Sequence, residues 1–528
     1  MNKQNFYLTT PLYYVNAEPH IGSAYTTMAA DTICRFEKLK GKNAYLLTGV
    51  DEHGGKIENT AKSRNISPKA HCDEITLKFE ELWKLLNIDY QRFSRTSSEN
   101  HNKIVQIFFE LVKAKGDIYQ AEYKGLYCLA CEDFKNEREL LEGKLCPTHK
   151  TQVQEYTENN YFFALSKYNE QIRQFLNDNP DFIYPQFRKH EVLAWLDEGL
   201  RDFPISRNSV KWGIPIPDDK EQTIYVWFDA LLGYLSPLIE DKINLQDLNI
   251  DNFAQIVKSL DLWPVSLHLI GKDILRFHAV YWIAMLMSAE LPLPKRLFGH
   301  GFLTKDGEKM GKTLGNIIVP QEIINKYGID AIRFYFLFNI PFGQDGDFSE
   351  QIFIETVNAY LANRLGNLFS RVLKLLENNL NSQIPAGLNL DFNSEIAQSG
   401  ISLANKVDSL MHNFELDLAL KEIFNYIDKL NLYLTETKPW TLFKEESETA
   451  RQKAIICLVE VLEGLRIVAN VLFPFMPDLG LKMLNIFNLT KTQNWEELSK
   501  WAYLKPESEI KNTQGALFQR IENIQKIN

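Results

Sequence analysis

The sequence has no hydrophobic run long enough to cross a bilayer. Its longest apolar stretch, residues 277–289, falls well short of the ~18 residues that a membrane-spanning helix needs, and it contains His278. The first residues also lack the charged segment, apolar core and small-residue cleavage site of a signal peptide. We therefore expect a cytoplasmic protein that does not enter a membrane.

Cysteine and net positive charge are also scarce. Six cysteines occur in 528 residues, four of them within residues 72–146, which favours one local metal cluster in a reduced compartment over a disulfide framework. The 58 basic and 68 acidic side chains give a net charge of −10. That balance argues against a nonspecific nucleic-acid coat but leaves room for a locally basic groove.

The N-terminal region reads as a strand, a helix and a second strand. Residues 6–10 are rich in β-forming side chains, residues 21–39 repeat apolar side chains at helical spacing, and residues 44–50 form a short apolar run. This unit predicts an α/β fold with a Rossmann-type parallel sheet, whose ligands bind at the carboxyl ends of the strands. His20 and Asp51 should both face that crevice.

The rest of the chain changes character twice. Helical spacing continues at 73–86 and 101–115, and an irregular segment rich in aromatic and cysteine residues follows. Strand-like runs resume at 224–228 and 267–271. The tail is helical in period at 352–377, 401–412, 416–434 and 450–472. The expected domains are the first half of a catalytic Rossmann domain (1–115), an inserted connective domain (116–223), the second catalytic half (224–349) and an all-α bundle (350–528).

Two short cysteine motifs predict a metal site in the inserted segment. Cys128-x-x-Cys131 and Cys146-x-x-His149 are separated by fourteen residues. Three thiolates and one imidazole can close a tetrahedron around zinc, and because all four positions come from the protein, the ion should be structural. The alternative is that these are scattered buried cysteines.

Two further motifs are weak when each is taken alone. The helix start Pro19-His20-Ile21-Gly22-Ser23 could admit a phosphate to backbone N–H groups, although a histidine there is more often a cap or packing residue. The turn-rich segment Lys309-Met310-Gly311-Lys312-Thr313 could clamp a polyphosphate with two lysines, although such a segment is usually a solvated loop.

Taken together and in this order, these stretches resemble the class I aminoacyl-tRNA synthetases, whose HIGH and KMSKS signatures match residues 20–23 and 309–313. The resemblance is closer still to the methionyl-tRNA synthetase family, and it is carried by TTPLYYVNAEPHIG, TGVDEHGGKI, YVWFDALLGY, IGKDILRFH, GHGFL and KMGKTLGN. The inserted segment is too short for the hydrolytic editing module of the isoleucine, leucine and valine enzymes, and it fits the form with a single four-ligand zinc knuckle.

The resemblance implies which residues act on the small substrates. The catalytic residues implied are His20, Lys309 and Lys312. The ATP-binding residues implied are His20, Gly22, Ser23, Gly271, Lys272, Asp273 and Lys312. The methionine-binding residues implied are Leu12, Tyr14, Asp51, Trp227, Ala230, Leu231, Tyr234, Ile274 and His278. Aromatic edges suit a thioether, although any single one of these aromatics could be ordinary core.

The resemblance also implies an anticodon site in the helical tail. Asn367 and Arg371 fall at i, i+4 on one helix, and Pro439 and Trp440 interrupt the helices. Amide and guanidinium donors beside an aromatic plane suit unstacked bases. Without the resemblance, Trp440 would be assigned to the core.

The implied activity is ATP-dependent activation of methionine and its transfer to initiator and elongator methionine tRNA. Mg²⁺ with ATP and one Zn²⁺ are the implied cofactors, and a monomer is expected. Ser23 in place of the final histidine of HIGH, and Gly311 and Thr313 in place of serines, depart from the family pattern. The alternatives are a cysteine or leucine synthetase and a non-catalytic tRNA-binding relative.

Overall fold

The computed structural model describes residues 3–130, 133–135, 137, 140–310, 316–489, 494–510 and 515–522. Its strands are β1 (Asn5–Tyr14), β2 (Asn43–Asp51), β3 (Arg92–Arg95), β4 (Ile118–Cys128), β5 (Asp133–Lys135), β6 (Gln154–Phe163), β7 (Ile183–Tyr184), β8 (Phe203–Pro204), β9 (Ser206–Arg207), β10 (Pro215–Ile216), β11 (Asp219–Ile224), β12 (Leu267–Gly271), β13 (Leu297–His300), β14 (Leu303–Lys305), β15 (Glu308–Lys309) and β16 (Gly346–Phe348).

The α-helices before the tail are α1 (Ile21–Leu39), α2 (Gly55–Ser63), α3 (Pro68–Leu85), α4 (Glu99–Ala114), α5 (Asn169–Asp178), α6 (Gln186–Asp197), α7 (Val226–Ala230), α8 (Ser236–Lys242), α9 (Phe253–Lys258), α10 (Ile283–Ser288), α11 (Pro320–Tyr327) and α12 (Ile329–Asn339). Those of the tail are α13 (Glu350–Val357), α14 (Asn367–Leu380), α15 (Glu395–His412), α16 (Leu416–Thr437), α17 (Pro439–Leu442), α18 (Glu448–Leu472), α19 (Pro477–Ile486) and α20 (Trp495–Leu498). Short 3₁₀ turns cover Leu165–Tyr168, Leu231–Tyr234 and Lys272–Ile274, and π-helical stretches cover Phe277–Trp282 and Asn358–Gly366.

A parallel sheet of six strands forms the centre of the catalytic part. Its order is β3–β2–β1–β12–β13–β7, and every neighbouring pair is parallel. The chain leaves β1 toward β2 on one side, and β12 lies on the other. That change of direction is the point at which open parallel sheets bind ligands, outside the carboxyl ends of the strands. The Rossmann-type fold class predicted from the sequence is confirmed.

Two predicted elements in this part differ from the structure. Residues 224–228 were expected to form a strand, but β11 ends at Ile224 and α7 begins at Val226. Aromatic and β-branched side chains favour strands, yet the backbone N–H of Asp229 bonds to the carbonyl of Tyr225 and turns the chain into a helix. Helix α3 starts at Pro68, ahead of the expected residue 73, because the Ser67 hydroxyl caps it.

The helical tail is not a separate layer with its own core. One continuous apolar cluster includes Met28 of α1, Phe334 of α12 and Leu465 of α18. The predicted helix 352–377 is interrupted by the π-helical stretch Asn358–Gly366. The ring of Phe36 in α1 lies 5.6 Å from that of Trp495 in α20, so the tail packs directly against α1.

A buried arginine reinforces this junction. Arg333 of α12 has no exposed surface and pairs with Asp31 of α1 at 2.7 Å. The same guanidinium donates to the carbonyl oxygens of Phe475, at 2.7 Å, and Pro474, at 3.1 Å, between α18 and α19. One side chain thus holds both α1 and the tail.

Within the described ranges, no helix has both the length and the hydropathy that a membrane span requires.

Candidate active site

His20 caps helix α1 at the carboxyl edge of the sheet. Its Nδ1 atom accepts hydrogen bonds from the backbone N–H groups of Gly22, at 3.0 Å, and Ser23, at 3.4 Å. The Ser23 hydroxyl donates to the carbonyl oxygen of His20 at 2.7 Å and accepts from its N–H at 3.0 Å. This capping box satisfies N–H groups that a helix start otherwise leaves without partners.

The cap determines which nitrogen of His20 can donate. Because Nδ1 accepts, a neutral imidazole carries its proton on Nε2. Desolvation by the surrounding atoms lowers the pKa of His20 from its usual value, although the residue keeps exposed surface. The ring is therefore neutral at pH 7, and its Nε2–H group can donate to an anion in the crevice.

Gly22 makes room for that imidazole. A Cβ atom at position 22 would lie 2.9 Å from Cε1 of His20 and 3.0 Å from Nδ1, closer than real contacts allow. The N–H groups of Gly22 and Ser23, which the sequence offered as phosphate donors, are occupied by the ring. Nε2 of His20 is the donor that this cap presents.

The carboxyl ends of three neighbouring strands lie at the same edge of the sheet as the start of α1. β1 ends at Tyr14 and β2 ends at Asp51, and these two residues are paired in the strand register. β12 neighbours β1 on the other side and ends at Gly271. Asp51 is only 9% exposed. Residues predicted to bind the two small substrates therefore lie along one edge of the sheet.

A tyrosine that follows α7 and a histidine that follows β12 are buried against each other. The Tyr234 hydroxyl donates to Nε2 of His278 at 2.8 Å, and Nδ1–H of His278 donates to the carbonyl oxygen of Ile274 at 3.0 Å. Burial lowers the pKa of His278 to about 4, so this ring is neutral. The Leu12 side chain packs on Gly233, where a Cβ atom would come 2.3 Å from it. The Tyr234–His278 pair therefore carries no charge.

Trp227 makes ring contacts with Phe277 and His278. Its ring stacks on Phe277, with centroids 3.8 Å apart and planes 3° from parallel, and it meets His278 edge-on. Ala230 and Leu231 are buried beneath. Phe277 was not among the predicted residues. The stretch IGKDILRFH was a signal for it, since that stretch contains both Phe277 and the predicted His278.

The predicted ATP-binding residue Lys272 has a partner that the sequence did not suggest. Its Nζ atom lies 2.6 and 2.8 Å from the carboxylate oxygens of Asp345 and 4.5 Å from the ring centroid of Phe302. Asp345 also accepts the backbone N–H of Phe302 at 2.8 Å. Asp273 is exposed beside them. Asp345 was missed because 73 residues separate it from Lys272.

His300 joins the end of β13 to helix α1. Its Nε2 atom lies 2.7 Å from the Thr26 hydroxyl, and its Nδ1 atom lies 2.8 Å from the carbonyl oxygen of Gly301. Burial lowers the pKa of His300 to about 4. The stretch GHGFL, which contains His300, contributed to the family resemblance, but the sequence analysis assigned no role to His300.

The lysine loop is described only in part. Strand β15 contains Lys309, whose backbone pairs with Thr304 of β14. Gly311, Lys312 and Thr313 lie outside the described residues.

Three of the four expected metal ligands come together. The ligand atoms of Cys128, Cys146 and His149 all lie within 4.8 Å of one another. The Cys146 Sγ atom is 4.0 Å from Nδ1 of His149. Both cysteines are fully buried, whereas His149 is exposed. Cys131 lies outside the described residues. Sulfur and imidazole donors at these separations fit a zinc ion.

The predicted anticodon residues lie on α14 and α17. Arg371 and Trp440 line one open groove of about 410 Å³, together with Lys374, Leu375 and Asn378 of α14. Asn367 is exposed one turn earlier, and Pro439 is buried at the start of α17. Lys374 and Asn378 were missed, although their i+3 and i+7 spacing from Arg371 places them on the same helix face.

Two family models match different parts of the chain. A family model described as tRNA synthetases class I (M) matches residues 6–158 and 146–373. A second model, the anticodon binding domain of methionyl tRNA ligase, matches residues 391–528.

Individual relatives match over nearly the whole length. The chloroplastic/mitochondrial methionine–tRNA ligase of Arabidopsis thaliana is 47% identical over 530 residues, covering 98% of this chain and 83% of its own. The methionine–tRNA ligase of a Nostoc species is 45% identical over 535 residues, covering 99% of both chains. The structure of Mycobacterium tuberculosis methionyl-tRNA synthetase with methionyl-adenylate superimposes with a TM-score of 0.91 at 34% identity, over 98% of this chain and 100% of that one.

Proposed function

The chain belongs to the class I methionyl-tRNA synthetases, and from this premise we propose which of its residues perform each step. The enzyme is an aminoacyl-tRNA ligase that activates methionine with ATP to methionyl-adenylate and transfers the methionyl group to tRNA. In the first step the methionine carboxylate attacks the α-phosphate and pyrophosphate leaves. Because no covalent enzyme intermediate is needed, the protein acts by positioning and by stabilising charge.

His20, Lys309 and Lys312 are the catalytic residues in this proposal. The Nε2–H group of His20 donates to the phosphate oxygens as negative charge builds on them. Lys309 and Lys312 hold the leaving pyrophosphate. The cap geometry supports the first assignment, because it fixes the proton on Nε2 and keeps the ring neutral. Mg²⁺ that accompanies ATP supplies further positive charge to the phosphates.

ATP lies along the edge from α1 to β12 in this proposal. Gly22, Gly271, Lys272 and Asp273 contact it, and Ser23 acts through the cap, because its hydroxyl is engaged with the His20 backbone. The ion pair with Asp345 holds Lys272 in place before ATP binds.

Methionine lies on the other side of the crevice. Its ammonium meets Asp51 and the carbonyl of Leu12, and its thioether meets the rings of Trp227 and Tyr234. Tyr14, Ala230, Leu231, Ile274 and His278 complete the pocket. The observation that carries this assignment is the hydrogen bond of 2.8 Å between Tyr234 and a neutral His278, since it presents an uncharged wall to an uncharged side chain.

We also propose that Cys128, Cys131, Cys146 and His149 hold one structural zinc ion. Such an ion supplies folding free energy to the inserted segment. In the tail, Asn367, Arg371, Pro439 and Trp440 bind the anticodon of initiator and elongator methionine tRNA. Arg371 and Trp440 already share one groove.

We also propose the domain division at residues 115/116, 223/224 and 349/350, in which the inserted segment returns one strand, β7, to the catalytic sheet. A monomeric state and a cytoplasmic location complete the proposal. Limited proteolysis, sedimentation velocity and fractionation of the source cells measure them in turn.

Pyrophosphate exchange tests the function directly. We expect exchange that depends on methionine and is absent with leucine or cysteine, followed by charging of methionine tRNA. Exchange with one of the other two amino acids would reassign the pocket. A protein that binds tRNA but supports no exchange would be a non-catalytic relative, contrary to the proposal.

A further inference from the structure

A buried carboxylate joins two histidines behind the proposed methionine pocket. The two oxygens of Asp229 lie 2.6 Å from Nδ1 of His53 and 2.6 Å from Nε2 of His101. All three residues are at most 4% exposed. A buried charge is costly unless it is paired and hydrogen-bonded, so the arrangement needs every one of these bonds.

The hydrogen bonds of this cluster are mutually consistent. Each oxygen of Asp229 accepts one N–H, and the second nitrogen of His101 is hydrogen-bonded to the Ser236 hydroxyl at 2.8 Å. Burial alone would raise the pKa of Asp229, but the two histidines lower it below its usual value. The carboxylate is therefore ionised and can accept both donors at once.

The cluster connects the two ends of the proposed pocket. His53 follows Asp51, the proposed ammonium ligand, by two residues. Asp229 lies on α7 between Trp227 and Ala230, and Ser236 begins α8 just after Tyr234. The residues that meet the ammonium and those that meet the thioether are thus held through one carboxylate.

We propose that Asp229 is a positioning residue for methionine, which fixes the distance between Asp51 and Trp227 through its hydrogen bonds to His53 and His101. The inference rests on the proposed methionine pocket. A substrate with an uncharged side chain offers few polar contacts, so discrimination depends on a fixed spacing between its ammonium site and its thioether site. A displacement of about 1 Å is enough to weaken such recognition.

Asp117 provides a matched control. It is also a buried carboxylate, 7% exposed, and it accepts from Tyr168 at 2.5 Å, Ser288 at 2.8 Å and Lys167 at 2.9 Å. None of its partners belongs to the proposed pocket. Asp117→Asn therefore reports what the loss of a buried carboxylate does to folding alone.

The test compares Asp229→Asn with Asp117→Asn in pyrophosphate exchange and thermal unfolding. We expect Asp229→Asn to raise KM for methionine by about tenfold to a hundredfold, the scale of a hydrogen bond to a charged group, with KM for ATP unchanged. Asp117→Asn should lower the melting temperature and leave both KM values unchanged. An unchanged KM for methionine in Asp229→Asn, or a parallel rise for both substrates, overturns the proposal.

Variants of His101 keep the test decisive if Asp229→Asn does not fold. His101→Gln places an amide N–H near the position of Nε2, whereas His101→Leu fills similar volume without a donor. We expect the glutamine variant to retain a KM for methionine near that of the parent and the leucine variant to raise it. Equal KM values for the two variants contradict a positioning role.

Trp227→Ala separates this inference from the function on which it rests. If Trp227→Ala raises KM for methionine but Asp229→Asn does not, only the inference fails. If Trp227→Ala leaves KM for methionine unchanged, the pocket itself is wrong and the inference falls with it.

Discussion

The guanidinium carbon of Arg371 lies 5.3 Å from the ring centroid of Trp440. The indole is half-buried, so one part of its surface stays open to the groove beside Lys374. Unpaired bases stack on exposed aromatic rings, and a neighbouring arginine adds a cation–π contribution. The pair supports the proposal that Trp440 is a binding platform, and the rest of the ring packs against the apolar core.

Trp440→Ala should impair the tRNA step selectively. Loss of about 1–3 kcal/mol of base stacking lowers kcat/KM for methionine tRNA by about 5- to 150-fold, while pyrophosphate exchange stays near the parent rate. Trp501→Ala is the control for a core tryptophan, since Trp501 is only 5% exposed, and it should cost about 3–5 kcal/mol of stability. Trp440→Ala that behaves like this control would exclude an anticodon role.

His20 should affect adenylate formation beyond its effect on the helix. His20→Ala removes both the Nε2–H donor and the N-cap, so adenylate formation should fall by on the order of 100-fold and stability by about 1 kcal/mol. His20→Asn restores a capping acceptor without the Nε2–H donor. Rapid-quench measurement should find it as slow as the alanine variant but more stable. Recovery of the rate in His20→Asn would reduce His20 to a cap.

The zinc site should be visible by elemental analysis and in stability. We expect about one zinc per chain, and Cys146→Ser should destabilise the inserted segment because metal binding supplies much of the folding free energy of a small metal site. Cys457→Ser, in a buried cysteine of α18, should leave the zinc content unchanged. If the protein contains no metal and still folds, Cys128, Cys131, Cys146 and His149 are not metal ligands.

Asp330 should give stability a pH dependence near neutrality. Burial, and next the charge of Asp478, raise the pKa of Asp330 to about 7, so the folded protein binds this proton more tightly than the unfolded chain. The stabilisation is complete below about pH 4 and is lost as the pH rises through 7. The free energy of unfolding should therefore fall over this window, by on the order of 4 kcal/mol at most.

Two variants check the assignment to Asp330. Asp330→Asn cannot titrate, so its unfolding free energy should lose this slope in denaturant titrations between pH 4 and 8. Asp478→Asn removes one cause of the raised pKa and should move the fall to lower pH. A slope that persists in Asp330→Asn assigns the pH dependence to other groups.

Local sequence patterns predicted the strands and the helix that build the crevice. They could not predict contacts between residues that are distant in the sequence. Periodicity and end signals gave β1, α1 and β2, because each depends on neighbours in the sequence. The same reasoning failed at residues 224–228, where the helix α7 forms despite side chains that favour a strand.

In the candidate site too, local motifs were readable from the sequence and contacts between distant residues were not. Motifs pointed to His20, Asp51 and His278 as candidates. Asp345, His300 and Asp229 were missed, because each bonds to a residue more than 70 positions away in the sequence. A polar residue shows in the sequence that it can form a hydrogen bond, but not with which residue. These partners became visible only when the sheet brought the strand ends together.

The buried Arg333 limits which anticodon domains could replace the helical tail of this enzyme. Removing the tail would leave the Arg333–Asp31 pair in place but would take the carbonyl oxygens of Phe475 and Pro474 away from the buried guanidinium. A buried donor left without its acceptor costs about 1–3 kcal/mol. A graft of a foreign anticodon domain must therefore bring two carbonyl groups to the same position. In this chain, the catalytic part and the helical tail share one apolar interior and are not joined as separate bodies by a linker.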